Sequence, residues 1–244
     1  MIFDLTGRQT ELLEAIISEY LNSSEPVGSV TIIKKYPIKA SAATIRNEMA
    51  ALLKKGFLDM VHTSSGRIPT PLAYRYFLDE LMEEEEIPVL QEVAIKQRLW
   101  PKRFEFEKLL RQAAVSMSDI THELSILTSD DGFTVYAGAV NLLDHQEFWD
   151  IEVAKAALYI LDRFELLDEI FKKNSLGGQE VATAIGDEIG ISGLSSCSFV
   201  FAPYLAGKKS GYVSVFGPAR MNYPTVVPAV KYAKNLIEEL GETW

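Results

Sequence analysis

The chain has 244 residues, of which 48% are hydrophobic, so it can form one large domain or two of moderate size. Its formal net charge is −10, and its single cysteine, Cys197, excludes an internal disulfide framework. No apolar run approaches the roughly 20 residues that a membrane helix needs, and the first residues show no signal-peptide pattern, so we expect a cytoplasmic protein without a membrane partner.

Two helices open the chain. Thr6 can cap a first helix that runs to about Asn22, because apolar residues recur there at spacings of three and four. Ser29 can cap a short second helix that ends near Lys35. Pro37 then predicts a turn, because the residue before a proline is disfavoured in the helical region.

A third helix and a hairpin follow. Ser41 can cap the third helix, and Gly56 ends it as a glycine that adopts the left-handed conformation. "FLDMVH" alternates like a half-buried strand, "TSSG" predicts a turn and "RIPT" a second strand. Thr70 can cap and Pro71 can open a fourth helix. This order of elements is that of a winged helix-turn-helix.

The acidic run that ends at Glu86 predicts the boundary between an N-terminal domain, 1–86, and a second domain, 87–244. The sequence pattern of residues 87–122 predicts a helical linker. Beyond them, strands alternate with helices and hairpin-like turns, and a final helix begins near Tyr223. The pattern predicts an α+β domain around an antiparallel sheet.

Charge is distributed unevenly along the chain. From Thr31 to Tyr76 eight basic residues stand against two acidic ones, a net charge of +6, which leaves −16 for the rest. Such a contrast between segments indicates nucleic-acid binding. The alternative is a chance cluster of basic residues on a solvated surface.

The third helix has two different sides, because each residue is rotated by about 100° around the helix axis from the one before it. The side predicted to pack against the first two helices carries Ile45, Met49, Leu52 and Leu53. The opposite side carries Ala43, Asn47, Ala50 and Lys54, with Thr44 and Arg46 on its flanks. Asparagine can bond the edge of an adenine, and arginine that of a guanine or a phosphate. The alternative is an ordinary amphipathic surface helix.

We therefore predict that double-stranded DNA is a partner. In the hairpin, Arg67 follows Gly66 and is suited to a minor groove, whose negative potential attracts arginine. The predicted DNA-binding residues are Ser29, Lys39, Ser41, Ala43, Thr44, Arg46, Asn47, Lys54, His62, Thr63, Ser64, Ser65, Arg67 and Arg75.

Several segments together resemble the heat-inducible transcription repressors of the HrcA family. They include "SAATIRNEMAALLKKGFLDMVHTSSGRIPT", "AGAVNLL", "EFWD", "CSFVFAPY" and "GYVSVFGPARMNYPTVV". The resemblance implies an N-terminal winged helix, a C-terminal GAF-like domain and repression of heat-shock (chaperone) operons. It also implies dimeric binding to an inverted-repeat operator of the CIRCE type, release on heat stress, and a GroEL-type chaperonin as a modulator.

The chain departs from the family in a few residues and in length. Leu53, Val61, Ser65 and Asn222 stand where the family often has other residues. The family also carries a dimerising insert, for which "ELSILTSDDGFTVYAGAVNLL" leaves no room. We therefore expect a homodimer formed through the sheet edge of the second domain, the helix over 104–120, or both.

Sequence motifs of an enzyme or a metal site are missing. The three histidines are far apart, and no phosphate-binding loop or nucleophile elbow occurs, so we expect no catalytic function, no metal and no cofactor. Cys197 is predicted to lie in the core. "DHQEFWD" predicts a helix start with solvated carboxylates, and Arg220 of "GPARMNYP" can hold a carboxylate. The alternative function is a metabolite-sensing winged-helix regulator of other genes.

Overall fold

The structure, a computed structural model, describes residues 4–60, 66–175 and 178–241. It contains two compact units, Met1–Met82 and Glu83–Trp244. None of the described helices has the length and apolar character needed to cross a membrane.

The first unit is mostly helical, and its elements follow the predicted order. Its elements are α1 (Gly7–Ser23), α2 (Ser29–Lys35), α3 (Ala42–Lys54), β1 (Leu58–Asp59), β2 (Ile68–Pro69) and α4 (Pro71–Tyr76), which continues as a π-helical turn, Phe77–Leu81. The strands pair antiparallel. The strand predicted over 57–62 is only two residues long within the described part of the hairpin.

Three of the four predicted helix caps are confirmed. The hydroxyls of Thr6, Ser41 and Thr70 each accept a hydrogen bond from a backbone N–H in the first turn of their helix. The prediction for Ser29 was wrong, because Gly28 is the N-cap of α2 and no side chain caps that helix. Ser29 lies in the first turn instead and is 9% exposed.

The second unit is α+β, as predicted. Its helices are α5 (Val89–Leu99), α6 (Phe106–Thr121), α7 (Ile151–Leu161), α8 (Phe164–Asn174) and α9 (Tyr223–Leu240). Its strands are β3 (Leu124–Ser129), β4 (Thr134–Ala137), β5 (Ala182–Ile185), β6 (Cys197–Ala206) and β7 (Lys209–Pro218). They form one antiparallel sheet in the order β4-β3-β7-β6-β5.

Helices cover both faces of this sheet. On one face Phe171 of α8 packs against Phe199 and Phe201 of β6, with ring centroids 5.5 and 4.7 Å apart. On the other face α6 and α9 pack on the strands, where the hydroxyl of Tyr223 lies 2.9 Å from the hydroxyl of Ser198. The alternating residues of a strand point to opposite faces, so each strand contributes to both layers of the core.

Two pairs of ionisable side chains lie beside the end of β7. Arg220 donates two hydrogen bonds to the carboxylate of Glu147, at 2.7 and 3.0 Å, and both side chains are largely buried. The expectation of solvated carboxylates in "DHQEFWD" was therefore wrong for Glu147, because Arg220 is its partner. Glu123 lies 3.0 Å from the imidazole of His145, and burial raises the pKa of its carboxyl group. Gly217 permits this approach, since a Cβ there would lie 2.4 Å from Glu123 Oε2.

Candidate nucleic-acid interface

Helix α3 is held in the first unit by one apolar side. Ile45 and Leu52 are fully buried and Met49 is 4% exposed, and the helix packs against both α1 and α2. Leu53 is only partly buried, so it lies at the margin of the predicted packing side. The burial confirms the orientation that the sequence predicts for this helix.

The opposite side of α3 is open to solvent. Its exposed residues are Ala43, Arg46, Asn47, Ala50 and Lys54. Thr44 is half-buried, and its hydroxyl lies 2.9 Å from that of Ser41, which also accepts the Thr44 N–H at 3.1 Å. The two hydroxyls at the start of the helix therefore already have partners within the helix.

Uncompensated positive charge is concentrated around α3. Over the described parts of the chain, Lys34, Lys39, Arg46 and Lys54 have neither an ion pair nor a hydrogen-bonded side-chain partner. Lys35, by contrast, lies 2.6 Å from the carboxylate of Glu19. The first unit as a whole has nine basic and nine acidic residues, so its net charge is zero. The positive charge is therefore local to the surface around α3.

Arg67 lies at the base of the hairpin. Its N–H and C=O both bond the backbone of Val27, at 2.9 Å, in the loop between α1 and α2. Gly66 makes this pairing possible, because a Cβ there would lie 2.5 Å from the carbonyl carbon and oxygen of Pro26. The loop and the hairpin are thus joined by backbone contacts, and the Arg67 side chain is half-buried.

The remaining predicted site residues are placed as follows. Lys39 is exposed in the turn that precedes α3, and Arg75 is half-buried in the last turn of α4. Ser29 is buried in α2. Lys39 and the exposed residues of α3 are therefore accessible to a partner, whereas Ser29 is not. The last four predicted residues lie outside the described part of the chain: His62, Thr63, Ser64 and Ser65.

Sequence reasoning missed a polar network that ties α3 to α1. The Gln9 side chain donates to Glu48 at 3.0 Å and accepts from Lys55 at 3.0 Å. A second bond joins α1 to α2, where Lys35 donates to Glu19, which is 6% exposed. The spacing of Thr6 and Gln9 is that of a capping box and could have indicated a structural role for Gln9. Its partners Glu48 and Lys55 could not be predicted, because they lie 39 and 46 residues away in the chain.

The second unit offers no reactive thiol in its described part. Cys197 is fully buried in β6, as predicted, and burial raises the pKa of its thiol to about 12. Since the thiolate is the nucleophilic form, this thiol is unreactive in the folded chain. Among the described residues, no group of three or more His, Cys, Asp or Glu side chains is placed to hold a metal ion.

Comparison with known families gives a match to the C-terminal domain of the HrcA protein over residues 74–227. The chain belongs to the HrcA family. Curated relatives in this family are named heat-inducible transcription repressors, so this member is a heat-shock transcriptional repressor.

One such relative, from Acetivibrio thermocellus, is 25% identical over 96% of this chain and 96% of its own length. Another, from Clostridium tetani, is 37% identical over 59% of this chain and 41% of its own. The alignment with the Acetivibrio thermocellus relative spans 336 positions, which is 92 more than the 244 residues of this HrcA chain. That relative therefore carries at least 92 residues that have no counterpart in this chain.

A crystal structure of a hypothetical protein matches 98% of this HrcA chain and 99% of its own, with a TM-score of 0.77. The TM-score shows that the two proteins share a fold, although their sequences are only 18% identical. In this chain the strands β3 and β4 are joined by a short turn, where Gly132 has a φ of +88°. That turn lies in the region where the sequence leaves no room for an insert.

Gly66→Ala should loosen the hairpin from the loop between α1 and α2. The new Cβ would overlap the Pro26 backbone, and overpacking of this kind costs about 1–3 kcal/mol. We expect hydrogen-exchange protection of the Val27 and Arg67 amides to fall roughly 5- to 150-fold. Gly7→Ala is the matched control, because no atom lies within 4 Å of the position that its new methyl group would take. Equal protection in both variants would contradict the proposed contact.

Proposed function

We propose that this HrcA-family repressor acts by binding, as a homodimer, an inverted-repeat operator of the CIRCE type in front of chaperone operons. The first unit would be a winged helix-turn-helix with α3 as its recognition helix, and the second unit a GAF-like regulatory and dimerisation domain. The observation that carries the proposal is the open face of α3, whose opposite side is fixed in the core.

The exposed face of α3 has the shape and chemistry for the major groove. Ala43 and Ala50 are small and exposed, so the helix can approach base edges closely. Asn47 lies between them on the same face and can bond an adenine edge through two hydrogen bonds. Arg46 beside it can reach a guanine or a phosphate.

Phosphate contacts would fix the position of the helix on the duplex. Lys39 precedes α3, and the first N–H groups of the helix attract anions. The hydroxyls of Ser41 and Thr44 are bonded to each other, so we assign the N-terminal phosphate contact to backbone N–H groups and to Lys39. For Ser29, which is buried, any contact would likewise use its backbone.

The hairpin would act as the wing. Arg67 is fixed by its backbone to the loop before α2, which gives its side chain a defined origin from which to reach a minor groove. Arg75 of α4 would add a phosphate contact at the same side of the duplex. Residues 62–65 of the hairpin would supply further donors.

Release on heat stress fits the names of the relatives, which are heat-inducible repressors. A palindromic operator requires two copies of α3 related by a twofold axis, which favours a homodimer. Modulation by a GroEL-type chaperonin completes the proposal and is implied by the family resemblance. Such a repressor needs no catalytic chemistry and no cofactor, and it would act in the cytoplasm.

A second candidate function is a metabolite-sensing regulator of other genes. An open cavity of about 470 Å³ in the second unit lies beside the ends of β3, β6 and β7. Its lining mixes aromatic and charged side chains, including Phe164, Asp168, Lys172 and Tyr212. Its volume is within the range of small-molecule sites. This candidate predicts DNA binding that responds to a metabolite and not to heat.

A gel-shift titration with the inverted-repeat operator tests the proposed function. We expect a specific complex at moderate salt, competed by operator DNA much better than by a scrambled duplex of the same length, and lost on heating. A folded chain that gives no specific complex would contradict the proposal. A complex that ignores heat and chaperonin but responds to a metabolite would support the second candidate.

Asn47→Ala should reduce discrimination between operator sequences. The loss of a bidentate base contact costs about 1–3 kcal/mol, or roughly 5- to 150-fold in affinity for the operator, with little change for a scrambled duplex. Glu11→Ala, at an exposed position of α1, is the control and should bind like the native chain. An equal loss on operator and scrambled DNA would show that Asn47 does not contact a base.

Lys39→Ala should weaken binding on every sequence. Because a phosphate contact releases a counterion, the slope of log K against log salt should become shallower by about 0.9. Lys208→Ala is the control, since this exposed lysine lies in the turn between β6 and β7 of the second unit and its loss changes the net charge equally. An unchanged slope for Lys39→Ala, or the same change in the control, would contradict the assignment.

A further inference from the structure

We propose that two exposed surfaces of the second unit pair reciprocally between two copies of this chain and form its dimer interface. The acidic surface consists of Val140, Leu143, Trp149 and Ile151 with the rim residues Asp144, Asp150 and Glu152. The basic surface consists of Leu90, Val93, Trp100 and Phe104 with the rim residues Lys102 and Arg103. The inference rests on the dimer of the proposed function and identifies where its two copies meet.

The acidic surface is a contiguous apolar area. Residues 139–144 form a 3₁₀ turn, in which residues three apart lie above one another, so Val140 and Leu143 stack on one side. The indole N–H of Trp149 donates to the Leu143 carbonyl at 3.1 Å, which places the ring beside them. Trp149 is nevertheless 73% exposed, and Ile151, which follows at the start of α7, is also exposed.

Negative charge surrounds this apolar area. Residues 139–152 contain four acidic residues and no lysine or arginine. Glu147 is compensated by its buried pair with Arg220. Asp144, Asp150 and Glu152 are exposed. Glu152 pairs with Lys155 at 2.8 Å, whereas Asp144 and Asp150 have no cationic partner among the described residues and leave the rim of the surface acidic.

The basic surface is formed by α5 and the turn that follows it. Leu90, Val93 and Trp100 recur at spacings of three and seven, which places them on one side of the helix and its continuation. The guanidinium of Arg103 lies 4.4 Å from the ring centroid of Trp100 and 4.2 Å from that of Phe104. All four apolar side chains are exposed.

The end of this surface that contains Trp100 and Phe104 is positively charged within an acidic unit, whereas Glu92 lies between Leu90 and Val93 in the chain. The second unit has 25 acidic and 15 basic residues, yet residues 96–111 contain six basic residues against two acidic ones. Three of the six, Lys96, Arg98 and Lys108, pair with carboxylates. Lys102 has no such partner among the described residues, and Arg103 contacts the two aromatic rings.

A second copy of the chain is the occupant that satisfies both surfaces. Soluble monomers rarely leave large contiguous apolar areas exposed, and these two areas have rims of opposite charge. Two units of net charge −10 repel each other overall, so contact requires a local pairing of opposite charges. Reciprocal pairing across a twofold axis forms two equal contacts and closes the dimer.

Sedimentation equilibrium of the full chain tests the interface. Aromatic residues at the centre of an interface contribute most of its affinity, so Trp149→Ser and Trp100→Ser should each raise the dimer dissociation constant roughly 30-fold or more. Leu205→Ser is the control, because Leu205 is 65% exposed on β6 and belongs to neither surface. A circular dichroism spectrum of each variant that matches the native spectrum at 25 °C shows that folding is preserved.

Exchange of charges tests the pairing itself. Asp144→Lys with Glu152→Lys, and separately Lys102→Glu with Arg103→Glu, should each weaken dimerisation at least roughly tenfold. The variant that carries all four changes should recover most of the lost affinity, since opposite charges again face each other. A fourfold variant that dimerises no better than either parent overturns the pairing.

The outcomes separate this inference from the proposed function. A native dimer that binds the operator, with Trp149→Ser and Trp100→Ser variants that dimerise equally well, overturns the interface and leaves the function intact. Continued growth into larger species overturns the closed reciprocal arrangement. A chain that dimerises through these surfaces but gives no operator complex overturns the proposed function alone.

Discussion

The apolar contact that holds α3 against α1 and α2 is the constraint on which the first unit depends. Ile45, Met49 and Leu52 are buried, so the rotation of the helix about its axis is fixed. Once that rotation is fixed, Asn47 and Arg46 point to solvent without any further interaction. The network around Gln9 adds polar contacts at one end of the same packing surface, where Glu48 and Lys55 are joined to α1.

Charge separates the roles of the two units. The first unit is neutral in total, and the second carries all of the net charge of −10. A neutral total is compatible with the proposed DNA binding, because four described cations without an ion pair lie in α2, in α3 and in the turn between them, while acids such as Glu19 compensate other cations. An acidic second unit would be repelled by phosphates, which would leave the surface around α3 as the favoured contact.

Local features of the fold could be predicted from the sequence, and long-range pairings could not. Thr6, Ser41 and Thr70 are caps because a hydroxyl placed just before a helical pattern of apolar residues can accept a hydrogen bond from the first N–H groups of the helix. This interaction involves only residues that are neighbours in the chain. The cap at Ser29 was misassigned by one position, since glycine also serves at that site. The Arg220–Glu147 pair joins residues 73 apart, and only the folded sheet brings them together.

The buried thiol of Cys197 gives the chain an internal reporter of opening. The thiol lies in β6, between strands β5 and β7 in the middle of the second unit's core, and its pKa of about 12 keeps it protonated. A thiol reagent can therefore react only when this part of the sheet separates. Since the chain contains no other cysteine, the labelling rate at each temperature measures one event, the thermal opening of the core beside β6. Comparing that rate with the temperature at which operator binding is lost would distinguish sensing by the sheet from sensing by the first unit.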